Sequence, residues 1–290
     1  MDMFLQQLAS GIASGGIFAS LALAFVMIYQ STHHINFAQG EMAMFSTFVA
    51  WSAVQAGVPY WGAFLIAVTF AFVVGVLIQR LIIQPLMKAP LLTHVVIFVG
   101  LLVIFNSLAG WFFGYTIRQF PSPFGSTLIP RNKFISSHEF GQILVVLVML
   151  AVLFSFFRFT KLGLAMRAAA VNPDSSEFVG IRVGWMIALG WGLGGAIGAV
   201  SGIMVAPIVF LEPNMMGGIL VYGFAGALLG GINNPWGAVA GGFIIGIIDT
   251  LAGAYLFGTE LKLTVALILI VVILLVRPSG LFGRTIVERV

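Results

Sequence analysis

Few residues in this sequence could do acid–base chemistry or hold a charged ligand, and they are widely spaced. Two carboxylates stand inside apolar runs: Glu41, in Asn36-Phe-Ala-Gln-Gly-Glu41, and Asp249, deep in Trp236–Phe257. If such runs lie in a bilayer, a carboxylate at their centre costs about 2.5–3.5 kcal/mol on insertion scales, so it faces a bundle interior or a wet cavity. Two roles are open to each: handling a substrate or proton, or making a structural hydrogen bond between helices. No ladder of Asp, Glu and His runs through the apolar segments, which argues against a dedicated proton relay. His33 and His34 are adjacent rather than at a helical ligand spacing and read as interfacial side chains. With no Cys in the chain there is no disulfide, thiol nucleophile or thiolate metal site. No paired catalytic carboxylates, His cluster or Ser–His arrangement occurs at matching depths, so the expectation is a non-catalytic protein without metal or cofactor.

The elements that must position these residues are membrane helices. Of 290 residues, 60% are hydrophobic and 8% charged, with a mean hydropathy of +1.11. A soluble domain carries about 25% charged residues, and so few ionic groups could not cover a water-facing surface. The thirteen Lys and Arg are dispersed and make no basic patch, so no nucleic-acid partner is expected. The N-terminus, Met1-Asp2-Met3-Phe4, lacks a positive leader and a cleavage site, so the first apolar segment is expected to be a retained helix. A span needs about 20 mostly apolar residues. The candidates are Leu8–Tyr29, Phe37–Ala53, Trp61–Ile78, Leu92–Phe113, Ile143–Phe157, Trp185–Phe210, Gly217–Ile232, Trp236–Phe257 and Leu261–Val276. Phe37–Ala53 and Gly217–Ile232 are short enough to be half-helices, giving eight to ten spans in an all-α, polytopic transmembrane bundle.

Basic residues orient the bundle. With the loop between Phe157 and Trp185 inside, the inner set is Arg80, Lys88, Arg158, Lys161, Arg167, Arg182, Arg277, Arg284 and Arg289. The outer set is Arg118, Arg131, Lys133 and Lys262. Nine against four obeys the positive-inside rule and puts the N-terminus outside and the C-terminus inside. The longest polar stretches are the outer loop Gly114–Gly141 and the inner loop Arg158–Val183, so the chain reads as one transmembrane domain over 1–290. No Gly-rich, Lys-terminated nucleotide loop is present.

Three further patterns bear on mechanism. In the inner loop, Asn172-Pro173 is an N-cap followed by Pro at the first helical position, with Asp174 and Glu177 in the first turn and Gly180 as a left-handed stop. This predicts a capped helix of about two turns outside the membrane, a rigid knob able to receive force from a partner. Gly190, Gly194, Gly198 and Gly202 recur every four residues, and Gly226/Gly230, Gly237/Gly241 and Gly242/Gly246 repeat that spacing. Such ladders let membrane helices approach closely. Finally, helices are interrupted in both halves, at Asn36–Gly40, Glu212-Pro-Asn214-Met-Met-Gly217 and Ile232-Asn-Asn-Pro-Trp-Gly237. Paired breaks of this kind frame transport pathways, because half-helix ends supply unpaired backbone dipoles.

Ile35-Asn-Phe-Ala-Gln-Gly-Glu41 resembles the Ile-Asn-Phe-Ala-His-Gly-Glu signature of the branched-chain amino acid (Liv-type) ABC transporter permeases. Val179-Gly-Ile-Arg-Val183 is similar to the end of that family's ATPase-coupling segment. Leu228–Gly242 resembles its Gly-rich motif and Arg277-Pro-Ser-Gly-Leu-Phe-Gly283 its C-terminal motif, in family order over nearly the whole chain. The resemblance implies an importer permease fold in the bacterial inner membrane. Its implied partners are two cytoplasmic ABC ATPase subunits, a second, related permease subunit, a periplasmic solute-binding protein and membrane lipid. By position, Gly163, Asn172, Pro173, Glu177 and Gly180 would form the coupling element, within about 158–183. The pathway candidates are Asn36, Gln39, Glu41, Asn214, Tyr222 and Asp249; Gln39 stands where the family has His, and Asp249 where it more often has Glu. The implied cargo is leucine, isoleucine or valine; similar permeases serve urea, amides or aromatic acids. An ion-coupled secondary transporter would need a coupling site, for which only Glu41 and Asp249 are candidates, and a membrane scaffold would leave the capped helix and paired breaks unexplained.

Overall fold

Every apolar segment of the sequence becomes a helix, and the helix ends fall where proline, glycine and capping side chains put them. A computed structural model describes residues 2–125, 135–256 and 258–283. Phe257 and the basic residues Arg131, Lys133, Arg284 and Arg289 lie outside the described residues. Among the described residues the chain forms α1 (Asp2–Thr32), α2 (Gln39–Gln55), α3 (Tyr60–Ile78), α4 (Leu91–Phe113), α5 (Ser137–Phe159) and α6 (Lys161–Val171). These are followed by α7 (Pro173–Phe178), α8 (Val183–Val209), α9 (Gly217–Gly230), α10 (Pro235–Tyr255) and α11 (Lys262–Val276). Pro59 and Pro90 directly precede α3 and α4, and Gly114, at φ +76°, stops α4. Asn234 caps α10 by accepting from Trp236 N at 3.1 Å and Gly237 N at 3.2 Å, with Pro235 at the first position.

Among the described residues six helical segments are long and apolar enough to cross a membrane by length and composition, one of them α3 extended to Leu86. The extension is a π-helical turn, Gln79–Ile83, followed by a 3-10 turn, Gln84–Leu86. Pro85 cannot donate the backbone bond that a regular α-helix needs there, which explains the change of winding. The expected segments that fall short of the rest are α2, with 17 residues, α9, with 14, and α11, with 15.

The chain divides into two compact units, each assembled from separate stretches of sequence: 1–26, 122–143 and 217–290 in the first, 27–121 and 144–216 in the second. The first unit is organised by glycine. A side chain at Gly226 of α9 would strike Gly242 of α10, and one at Gly230 would strike Gly237. On another face of α10, Gly242 lies against Ala19 of α1 and Gly246 against Gly15. The chain after α11 folds back over the α9–α10 turn, where Leu281 N donates to Leu229 O at 2.7 Å and Phe282 N to Gly230 O at 3.1 Å.

In the second unit, α8 is buried along most of its length between α2 and α3. Gly75 of α3 allows the Trp191 carbonyl of α8 to come within 2.5 Å of where a Cβ would sit, and Gly195 does the same for the Ala71 carbonyl. Small residues Ala63, Ala67, Ala71 and Gly75 form the buried stripe of α3, while Leu65, Ile66, Val73 and Leu77 are exposed. Small inside and large outside is the arrangement expected where the solvent is hydrocarbon and association relies on close packing. The α8 ladder meets α2 through Gly198 and Gly202, whose nearest neighbours are Gln39, Ala43 and Thr47.

A Cβ at position 246 would collide with the backbone of Gly15, which cannot rotate away, whereas one at Gly100 meets nothing within 4 Å. Gly246→Ala is therefore expected to lower the melting temperature of the purified protein by about 3–10 °C. Gly100→Ala should leave it unchanged or slightly higher, since alanine is the better helix former.

Candidate functional site

Two of the interrupted helices meet at one amide. The break before α2 is buried rather than interfacial: Asn36, Ala38 and Gln39 are fully enclosed and Glu41 is 8% exposed. Asn36 Oδ1 accepts from Ala38 N at 3.0 Å, and the Asn36 carbonyl accepts from Gln39 N at 3.2 Å, so the turn satisfies its own backbone. Gln39 Nε2 then donates to the Gly194 carbonyl of α8 at 2.9 Å. A side chain at Gly198 would collide with that amide, so this rung of the glycine ladder makes room for a hydrogen bond as well as for packing. Gly194 follows Val183 by eleven residues, about 16 Å along the α8 axis. The start of α2 therefore lies well inside the unit, as a half-helix would.

The second break comes back to the same level. Asn106 follows Leu91 by fifteen residues, about 22 Å along α4. Its Nδ2 donates to the Pro213 carbonyl at 3.0 Å and to Asn214 Oδ1 at 3.0 Å, with Glu41 Oε2 at 3.5 Å. Since α8 runs on to Val209, about 39 Å from its start, the connection 210–216 must turn back toward the middle of the unit to reach Asn106. Its upper part is fixed by a bridge in which Leu211 N donates to Arg118 O and Arg118 N to Leu211 O, both at 2.9 Å. The Arg118 guanidinium lies 4.2 Å over the Trp51 ring and donates to the Phe113 carbonyl.

Of the pathway candidates, the structure thus brings Asn36, Gln39, Glu41 and Asn214 into one neighbourhood within the second unit. Tyr222 and Asp249 belong to the first. There the Asp249 carboxylate of α10 is 3.8 Å from Lys262 Nζ of α11 and also interacts with the Tyr222 hydroxyl of α9. Gly253 leaves the space through which the Lys262 side chain passes, and Phe18 stacks on Tyr222 at 4.7 Å. Asp249 Oδ1 is buried with no hydrogen-bond partner among the described residues.

The inner loop forms the expected capped helix and one helix more. Asn172 Oδ1 accepts from Ser175 N at 2.9 Å, Pro173 opens α7, and Gly180 takes φ +84°. Gly180 N donates to Glu177 O at 2.9 Å and Ile181 N to Ser176 O at 3.0 Å, a complete Schellman stop. Before it stands α6, capped by Thr160 Oγ1, which accepts from Gly163 N at 3.0 Å. Gly163 is buried because a Cβ there would lie 2.5 Å from the Phe156 carbonyl, so the turn from α5 into α6 requires glycine. Phe178 and Val179 at the tip are exposed, Phe178 by 91%. Beside α7 a cavity of about 480 Å³ is lined by Arg80, Gln84, Glu177 and residues 180–185. Arg80 lies 3.9 Å over the Trp185 ring and donates to Gln84 Oε1 at 2.9 Å. The α7–α8 corner is therefore joined to the turns that follow α3.

Asn106, the Pro213 carbonyl, Arg80, Trp185 and Lys262 were not singled out by sequence. For Asn106 the available signal was an amide in the otherwise apolar run Leu91–Phe113. The others became visible only through their contacts.

Interrupted helices tied together inside an apolar bundle, with a rigid capped helix beside it, define a polytopic, all-helical membrane permease. The family of permease components of branched-chain amino acid transport systems matches residues 7–274, and the chain belongs to it. It is 31% identical to the high-affinity branched-chain amino acid transport system permease protein LivH of Salmonella typhimurium, over 99% of this chain and 98% of that protein. LivH of Escherichia coli K12 is also 31% identical with the same coverage, and BraD of Pseudomonas aeruginosa is 29% identical, again over 99% and 98%.

Asn106 is the donor that both breaks share. Asn106→Leu is expected to cost about 1–3 kcal/mol by leaving acceptors without a partner, read as a lower melting temperature of the purified protein. An unchanged melting temperature would show that the clasp does not hold the breaks.

Proposed function

We propose that this chain is the transmembrane permease subunit of an ABC importer that carries branched-chain amino acids, leucine, isoleucine and valine, across the inner membrane. The observation that carries the reading is family membership over residues 7–274. Relatives matched over 98% of their own length, LivH and BraD, are permeases of branched-chain amino acid transport systems. The chain acts as one transmembrane domain, with its N-terminus outside and its C-terminus inside. Its energy comes from two cytoplasmic ATPase subunits, since the sequence has no nucleotide loop of its own. A second, related permease and a periplasmic solute-binding protein complete the assembly.

Force from the ATPase enters through α6 and α7. Gly163 sets the turn into this element, Asn172 and Pro173 start its second helix, Glu177 borders the cavity beside Arg80 and Gly180 ends it. The support is physical: a six-residue helix capped at both ends, with an apolar tip in water, is costly to display unless a partner covers it. From α7, displacement passes to α8 through the 180–185 corner and to the turns after α3 through Arg80 on Trp185. Glu41 and Asn214 border the route of the solute, and Asn36 and Gln39 hold the break behind them. Asp249, paired with Lys262 and Tyr222, ties α10 to α11 and α9.

The primary test is uptake of labelled leucine by vesicles holding this chain with its ATPase, permease and binding-protein partners. ATP-dependent accumulation competed by isoleucine and valine is the expected result. Assembly and ATP hydrolysis without leucine uptake would move the cargo to urea, amides or aromatic acids, and uptake driven by an ion gradient alone would overturn the importer reading. In the same vesicles, Gly163→Pro or Glu177→Lys should abolish uptake while the protein remains in the membrane. Normal uptake by both variants would remove α6 and α7 from the coupling role.

A further inference from the structure

The Glu41 carboxylate is nearly enclosed yet poorly served. Among the described residues no Lys, Arg or His lies within ion-pair distance of it, and its one hydrogen bond is the 3.5 Å contact from Asn106 to Oε2. That donor is already committed. An amide NH2 carries two hydrogens, and Asn106 Nδ2 also makes the two 3.0 Å bonds to the Pro213 carbonyl and Asn214 Oδ1. Three acceptor groups, one of them a carboxylate with two oxygens, therefore share one donor group, and Oε1 of Glu41 has none among the described residues. Unlike Asp249 Oδ1, Glu41 Oε1 is not sealed from its surroundings, so the free oxygen is open to an incoming donor.

The imbalance has a definite chemistry. Carboxylate, peptide carbonyl and amide oxygens gathered around a single neutral NH2 keep acceptor capacity that a cation carrying several N–H groups can use, which describes a primary ammonium. Access is available from the Asn214 side, since Asn214 is exposed while Glu41 is buried. One turn further along α2, on the same face, Phe45 gathers the rings of Phe70, Phe105 and Phe113 at centroid distances of 6.0, 5.7 and 6.1 Å. A charged, accepting corner one helical turn from an aromatic wall matches a small molecule with an ammonium group at one end and an apolar side chain at the other.

We propose that Glu41, the Pro213 carbonyl and Asn214 receive the α-ammonium group of an amino acid during its passage, with its apolar side chain against Phe45. Asn106 is the positioning residue that holds the two breaks in register. The inference rests on the reading of this chain as an amino-acid permease and adds the part of the substrate that is recognised. Urea and amides lack the positive charge this site calls for, and a carboxylic acid without an ammonium group would be repelled by Glu41.

The test uses the complete transporter, with both permeases, the ATPases and the binding protein, reconstituted in proteoliposomes. Labelled leucine uptake and the ATP hydrolysis stimulated by leucine-loaded binding protein are measured together. Glu41→Gln should lower uptake about tenfold or more, the loss expected when a charge-assisted hydrogen bond goes, while stimulated hydrolysis stays within about twofold of wild type. Glu41→Asp, which keeps the charge, should recover much of the uptake, and Asn214→Ala, at an exposed position, should lower it severalfold with hydrolysis intact. Unchanged uptake in Glu41→Gln overturns the proposal. If Glu41→Gln fails to assemble, unchanged uptake in Asn214→Ala overturns it instead. A wild-type complex that hydrolyses ATP but takes up no leucine refutes the amino-acid reading itself, which is a different result from a wild type that transports and variants that do so equally well.

Discussion

A backbone that leaves the helical ladder inside hydrocarbon must find other partners for its N–H and C=O groups, because each one left bare costs several kcal/mol. The second unit is built around meeting that requirement at two places. Before α2, the side chain and carbonyl of Asn36 take up the N–H groups of Ala38 and Gln39. After α8, Leu211 pairs with Arg118, and the Pro213 carbonyl accepts from Asn106. Asn106 also comes within 3.5 Å of the Glu41 carboxylate, so the segment after α8 lies beside the start of α2. Asn36, Gln39 and Asn106 each bond to the backbone there, whereas the Glu41 carboxylate is left with capacity that the fold does not use.

The glycines have a related role. Where lipid surrounds the protein, apolar side chains gain little by turning inward, and helices hold together through close backbone approach. In α3 this places alanine and glycine on the inner stripe and leucine, isoleucine and valine on the outer face. In α8 it does more: an empty Cβ position at Gly198 is what allows Gln39 to reach the Gly194 carbonyl. Packing and polar satisfaction are thus solved by the same residues, and a bulkier side chain at Gly198 would disturb both.

The corner formed by α6 and α7 has a different character. The helices α6 and α7 are held by local capping from Thr160, Asn172 and Gly180 more than by burial, and their tip carries bare apolar residues. Met166, Ala169 and Ser176 anchor this element through one buried side, while the caps fix its ends. It joins the rest of the unit through Ala169, buried in the same core as Phe98 and Trp191, and beside it the stack of Arg80 on Trp185 holds α8 to the turns after α3 through cation–π attraction.

Much of this was legible in the residues. The membrane class, all nine apolar helices and the short capped helix follow from composition, run length and capping signals, because each depends on neighbours within a few positions. Asn172-Pro173 and Gly180 specify α7 almost alone, and Thr160 specifies the start of α6 in the same way, though a lone threonine is a weaker signal than Asn-Pro. The site was only partly legible. Glu41, Asn36 and Asn214 could be marked as polar groups near helix breaks, but Glu41 and Asn106 are 65 residues apart in sequence, and Asn106 and Asn214 are 108 apart. Nothing local says that the chain after α8 turns back to the depth of Asn106, or that Asp249 finds Lys262 on the following helix. Sequence alone determined which segments are helices and where their ladders fail, since that is set by backbone chemistry at each position. Only the tertiary structure decided which freed groups meet, because that depends on how far each helix runs before its neighbour begins.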